Sequence, residues 1–108
     1  MGNGVAKTVE WELGFHLDEV IAGLEKLLTN TGYQITREKT DAREQFLARL
    51  SQPGSYLWLE VRPLPARRLS PVISFPRTLL SIRFTGATSA EEGDFMRRLT
   101  MAFLRVGG

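Results

Sequence analysis

The residues with the clearest capacity for recognition chemistry in this sequence are aromatic side chains set among arginines. In "YLWLEVR" (residues 56–62), aromatic and charged side chains alternate with leucine and valine, so a strand would present them on one face. Arginines on the following segments, residues 63–77 and 78–84, extend the same pattern. The candidate binding surface predicted from the sequence comprises Tyr56, Trp58, Arg62, Arg67, Arg68, Arg77 and Arg83.

This residue set fits three kinds of surface. Aromatic rings among arginines on a sheet stack on bases and contact phosphates in sheet-based nucleic-acid modules. Trp, Tyr and Arg are also enriched where proteins bind each other. Alternatively, Tyr56 and Trp58 cover the second face of the sheet or line a cavity under the last helix. Arg37 or Arg49 could join the surface from an earlier hairpin.

The arginines 62–77 lie in the most unusual stretch, "VRPLPARRLSPVISFPR", which holds four of the five prolines and no acidic residue. Proline cannot donate a hydrogen bond to a sheet ladder and is confined to edges. The stretch therefore predicts a stiff surface connection over residues 62–77, either an extended loop or an edge strand limited to about Val72–Phe75. Its apolar part, "PVISF", favours strand pairing with a second copy of the chain.

Side chains that could catalyse a reaction are sparse. His16 is the single histidine and cysteine is absent, so a metal site or a nucleophile–base pair has few partners. Glu10 with Glu12, and the acidic group of residues 91–94, fit a solvated strand face and a helix N-terminus. "GNGVAKT" (residues 2–8) resembles part of a phosphate loop, but no strand precedes it. We predict no catalytic residue, metal or cofactor, and an enzyme is the less favoured class.

Length and composition indicate a single globular domain, residues 1–108. Hydrophobic residues make up 43% and charged residues 24% of the chain. No signal peptide or membrane-spanning segment is recognisable, which predicts a cytoplasmic protein without a membrane partner. Residues 1–6 are predicted to be a flexible tail. Arginine outnumbers lysine 11 to 3, as in some thermophilic proteins and in GC-rich genomes.

Charge is divided unevenly between the two halves of the chain. Residues 1–60 carry six basic and nine acidic side chains, whereas residues 61–108 carry eight basic and three acidic ones. Such asymmetry can indicate an anionic partner. The net charge of only +2 makes a dedicated nucleic-acid binder less favoured.

Hydrophobic periodicity predicts a strand, a helix, a run of four or five strands and a final helix. Alternation marks strands at residues 8–15, 33–39, 45–50, 56–62 and 78–86. A helical stripe over residues 17–31 ends before Gly32, which suits a left-handed C-cap. Ser89 and Glu92 have capping-box spacing at the start of the last helix. The prediction is an α+β domain with an antiparallel sheet and helices packed on one face.

This order of elements resembles the helix-grip and TATA-binding-protein-like folds, including small relatives of the START and pollen-allergen superfamily. The resemblance rests on element order over nearly the whole chain. It implies an apolar ligand held between a curved sheet and the C-terminal helix. We therefore expect a non-enzymatic binding module, self-associating as a homodimer, that holds an apolar ligand or a protein partner. The alternative is a nucleic-acid-binding accessory protein.

Overall fold

The α+β fold with an antiparallel sheet is confirmed in a computed structural model that describes residues 8–40 and 43–104. The predicted tail, residues 1–6, lies outside them. In chain order the elements are β1 (Thr8–Leu13), α1 (Leu17–Thr31), β2 (Gln34–Lys39), β3 (Glu44–Arg49), β4 (Tyr56–Arg68), β5 (Ser74–Thr85) and α2 (Ser89–Leu104). The five strands lie in the order β1-β5-β4-β3-β2, and every neighbouring pair is antiparallel.

Both helices pack on the same face of the sheet, as predicted. The alternating apolar residues of the central strands point toward them, and the positions Leu57, Leu59 and Val61 are completely buried. The helices contribute a stripe at helical spacing to the same cluster. Its largest members include Leu24, Leu28, Phe46, Leu80, Ile82, Phe95 and Leu99. Trp11 is partly buried and packs against this cluster.

The helix ends follow local chemistry, with one correction. Gly32 adopts a left-handed conformation with φ of 77° after α1, as the sequence predicts. At α2 the predicted box of Ser89 and Glu92 is wrong. The Glu91 N–H donates to Thr88 Oγ1 at 3.1 Å, and the Thr88 N–H donates to a Glu91 carboxylate oxygen at 3.2 Å. The box therefore lies one residue earlier, because α2 begins at Ser89 and Thr88 precedes it.

The predicted connection over residues 62–77 is mostly strand. β3 accompanies β4 only as far as Val61, and β1 accompanies β5 only from Thr78 onward. Beyond these points β4 and β5 continue as a two-stranded ribbon, called the arm here (residues 62–77), with a tip at residues 69–73. A β-bulge falls between Leu64 and Arg67. The separate edge strand expected at Val72–Phe75 is absent from the arm, since β5 begins at Ser74.

The prolines fit this ribbon for a physical reason. Each strand of the arm has a neighbour on one side only, so a proline nitrogen that points to the open side costs no ladder hydrogen bond. The rule that excludes proline from a central strand therefore does not apply beyond Val61. Among the helices of the described residues, none is long and apolar enough to cross a membrane.

Candidate binding surface

The face of the sheet opposite the helices, called the outer face here, carries most of the predicted binding residues. Strand register assigns them, because residues directly opposite on neighbouring strands share a face. Trp58 lies opposite Leu47 and Arg83, and Tyr56 lies opposite Arg49. The predicted residues on the outer face of the sheet and arm are Tyr56, Trp58, Arg62, Arg67, Arg77 and Arg83.

Arg68 does not share this face. It lies opposite Ser74, one position away from the Arg67–Phe75 pair, so its side chain belongs to the other face of the arm. The sequence could not reveal this, because the β-bulge between Leu64 and Arg67 changes the alternation along β4. The predicted surface is therefore divided between the outer face and the opposite side of the arm.

Trp58 occupies the middle strand of the outer face. The Arg83 guanidinium lies over its ring, 4.4 Å from the ring centroid, in cation–π geometry. Leu47 borders the ring on the β3 side and remains exposed. Trp58 is thereby half-buried although both helices pack on the other face. A role in lining a cavity under the last helix is excluded for Trp58.

A row of polar residues that includes three glutamates crosses the outer face next to Trp58. Register places Glu38, Gln45, Glu60, Ser81 and Glu10 side by side across all five strands. Arg43 forms an ion pair with Glu60 at 3.1 Å, and the Gln45 amide donates to Glu60 at 2.9 Å. The basic segment therefore lies beside acids that are distant in sequence. The absence of acids between residues 61 and 90 does not produce a purely basic surface.

Arg77 is engaged at the root of the arm. It donates two hydrogen bonds to the Glu12 carboxylate, both at 2.9 Å, and a third to the Pro65 carbonyl at 3.2 Å. The hydrogen bonds from Arg77 hold the pKa of Glu12 below its ordinary value of 4.5. The same pairing raises the pKa of Arg77. Arg77 fastens β1 to the arm, so it is less accessible to a ligand than the sequence suggested.

Arg37 lies on the helix-covered side instead of joining the outer face. It pairs with Glu44 and with Glu25 of α1, and its guanidinium lies 5.3 Å from the Phe46 ring centroid. The Glu44 side chain is almost completely buried. The ion pair with Arg37 offsets the cost of burying its negative charge. This cluster was missed because Glu44 occupies an inward position of β3, one residue before the strand predicted at residues 45–50.

The other chemical groups have structural positions. His16 immediately precedes α1, and its backbone N–H donates to a Glu19 carboxylate oxygen at 2.9 Å. Glu10 and Glu12 lie on the exposed outer side of β1. Within residues 8–40 and 43–104, no group of three or more His, Asp or Glu side chains is placed to hold a metal ion. No protein-family model matches the chain, and no curated protein matches it.

Proposed function

We propose that this protein is a non-catalytic binding module that associates with a second copy of itself through the outer face. The observation that carries the proposal is a sheet face that no helix of the described residues covers, with the Trp58–Arg83 pair at its centre. Trp and Arg are the residue types that most often dominate binding energy at protein interfaces. Leu47 on β3 and Leu79 on β5 add apolar area to the same face.

The charge pattern of the outer face fits a second copy. The row that contains Trp58 carries one cation, Arg83, and the adjacent row contains Glu10, Glu38 and Glu60. A two-fold axis parallel to these rows and between them would lay Arg83 of one copy on the acidic row of the other. Two-fold symmetry makes that contact occur twice, which is how homodimers gain self-complementary interfaces.

An apolar ligand between the sheet and the helices has less support. The space there is occupied by side chains that include Leu24, Phe95 and Leu99, all essentially buried. The two helices also approach each other closely at Gly23. A Cβ atom at this position would lie only 2.9 Å from the Phe103 ring. The groove between the helices, about 350 Å³, is open to solvent and bordered by charged Lys26 and Arg98.

Sedimentation of the wild type and charge variants tests the proposal. We expect the 12.2 kDa chain to sediment as a dimer at high micromolar concentration. Arg83→Glu should weaken dimerisation by about tenfold or more, because it removes the cation over Trp58 and places like charges together. Adding Glu10→Arg to that variant should recover part of the loss.

Arg97→Glu is the matched control for the charge reversal. Arg97 lies on α2, on the helical side of the sheet, and its side chain is highly exposed. Its reversal should leave the dimer intact. A wild-type chain that stays monomeric at high micromolar concentration would refute self-association, and equal weakening by both reversals would refute the outer face as its site.

Nucleic-acid binding remains the alternative proposal, supported by the arginines of the arm and the Trp58 ring. The acidic row and the Glu12–Arg77 pair weigh against it because both lower the positive potential that phosphates require. We expect little binding to DNA or RNA at physiological salt. Submicromolar affinity would reverse this ranking, and Arg67→Ala with Arg68→Ala should then flatten the salt dependence by about one or two units.

A further inference from the structure

The tip of the arm and the adjoining start of β5 expose a group of large apolar side chains. The exposed fractions are 61% for Leu69, 89% for Val72, 47% for Ile73 and 50% for Phe75. Exposed apolar residues scattered singly are ordinary, whereas a contiguous group at a projecting end indicates a binding site. The group lies beyond the part of the sheet that the helices cover, so it contributes nothing to the core.

The backbone of the tip satisfies its own hydrogen bonds. The N–H groups of Leu69 and Ser70 donate to the Ile73 carbonyl at 2.9 and 3.3 Å. The N–H groups of Val72 and Ile73 donate to Ser70 Oγ at 3.2 and 3.1 Å. Pro71 has no N–H. Every backbone donor of residues 69–73 therefore has an acceptor within the turn, and the tip can leave water without orphaning a donor.

Two arginines stand directly behind this apolar tip. Arg67 and Arg68 lie on opposite faces of the arm, as their partners Phe75 and Ser74 show. With a rise of about 3.3 Å per residue, their Cα atoms are roughly 3–7 Å behind Leu69 along the strand. Interfacial segments bury apolar side chains roughly 5–10 Å into the boundary between headgroups and acyl chains, so a tip buried to that depth leaves both arginines near the headgroups.

From these observations we infer that the tip of the arm inserts into the surface of an anionic lipid bilayer. Leu69, Val72 and Ile73 enter the acyl boundary, while Arg67 and Arg68 bind the headgroup phosphates on both sides. The inference is independent of the outer-face dimer. The expectation of no membrane partner rested on the lack of a spanning segment, which does not bear on surface insertion.

A bilayer explains the arm better than a nucleic acid or another strand does. Apart from the Ser70 hydroxyl, the foremost part of the arm is apolar and its backbone donors are already engaged, so it offers little to phosphates or base edges. Pairing with a strand of a second copy is impeded by Pro63, Pro65 and Pro76 along the ribbon. The apolar end and the set-back arginines both have a function at a lipid surface.

Co-sedimentation with vesicles tests this inference. We expect the protein to bind phosphatidylglycerol-containing vesicles and to bind pure phosphatidylcholine weakly, with the difference reduced by salt. The double variant Val72→Asp, Ile73→Asp should lose about tenfold or more of the vesicle binding. Arg67→Gln with Arg68→Gln should reduce it by roughly fivefold per arginine at low salt.

Two control variants lie away from the arm. Met101→Asp adds one carboxylate at a 63% exposed apolar position on α2, half the charge of the double tip variant, and Arg49→Gln removes one cation near the end of β3. Neither should change vesicle binding by more than about twofold. A loss equal to that of the tip variants would mean that net charge alone drives binding, and would overturn insertion of the tip.

A tryptophan placed at the tip reports insertion directly. In Val72→Trp, anionic vesicles should shift the emission to shorter wavelength, and lipids brominated on the acyl chain should quench the added signal relative to the wild type. Absence of the shift and of binding to anionic vesicles would overturn the inference. So would DNA binding that depends on Val72 and Ile73, or dissociation of the dimer by the tip variant, because each assigns the tip to another partner.

Discussion

The β4–β5 hairpin contains two regions that use the same two strands and are stabilised differently. In its base, residues 56–61 and 78–85, alternate side chains such as Leu57 and Leu59 are buried beneath the helices. In the arm, residues 62–77, no side chain is buried, and Pro63 and Pro65 occupy positions that continue the apolar alternation. The base is stabilised by side-chain packing against the helices, whereas the arm is stabilised by the backbone pairing of β4 with β5.

The difference shows how a small domain can project a binding element without enlarging its core. Proline restricts φ and lowers the conformational entropy of the unfolded chain, so the arm loses less freedom when it forms. The Glu12–Arg77 pair fixes its root to β1. The arm therefore holds a defined shape, while its side chains remain available for contacts outside the chain.

Truncation of one side chain in each region gives the largest expected contrast. Leu59→Ala in the base should lower the free energy of unfolding by about 2–5 kcal/mol, because it leaves a cavity among fully buried neighbours. Val72→Ala in the arm should change it by less than about 0.5 kcal/mol. Urea unfolding measures both, and Leu24→Ala serves as a second core site. Equal losses in base and arm would show that the arm also carries core packing.

Hydrogen exchange should separate the two regions on the same strand. Amides of residues 57–61 lie between β3 and β5 and should exchange only through unfolding close to the global event. The non-proline amides of residues 62–68 have β5 as their only neighbouring strand and should exchange through local opening, about a hundredfold faster or more. Exchange followed by NMR checks this. Uniform protection along β4 would instead make the arm part of one cooperative unit.

The smallest expected effect concerns the root of the arm. Arg77→Gln should raise the pKa of Glu12 toward its ordinary value of 4.5, because the guanidinium hydrogen bonds are lost. A carboxyl whose pKa is depressed in the folded state stabilises that state above pH 4.5. This contribution disappears as pH falls through the depressed pKa. As pH falls below 4.5, the free energy of unfolding should therefore decrease less in the variant than in the wild type. NMR titration of the Glu12 carboxyl measures the shift, with Arg49→Gln as the control.

Regular elements could be predicted from the sequence because local patterns specify them. The bounds of α1 follow from its apolar stripe and from Gly32, and the inward face of β4 follows from the alternation of Leu57, Leu59 and Val61. The start of α2 was less well determined. Both Thr88 with Glu91 and Ser89 with Glu92 have capping-box spacing, and the turn after β5 selects the first.

The candidate surface was predicted only in part. The residues that share a face of one strand follow from the local sequence, whereas the contacts between strands depend on the sheet order. Tyr56 and Trp58 share a face with Arg83, as alternation on each strand indicated. The position of Glu12 beside Arg77 depends on sheet order, which brings residues 65 positions apart into contact. The arm was missed because proline was judged by the rule for central strands. That rule fails where β4 loses its β3 neighbour.

The prolines of the arm have a consequence for how this protein behaves at high concentration. An open strand edge is the template on which further chains add during fibril growth. Pro63, Pro65 and Pro76 present no N–H to an arriving strand, and the β-bulge between Leu64 and Arg67 interrupts the regular spacing such a strand would need. We therefore expect the residues that stiffen this exposed ribbon also to keep it from seeding amyloid.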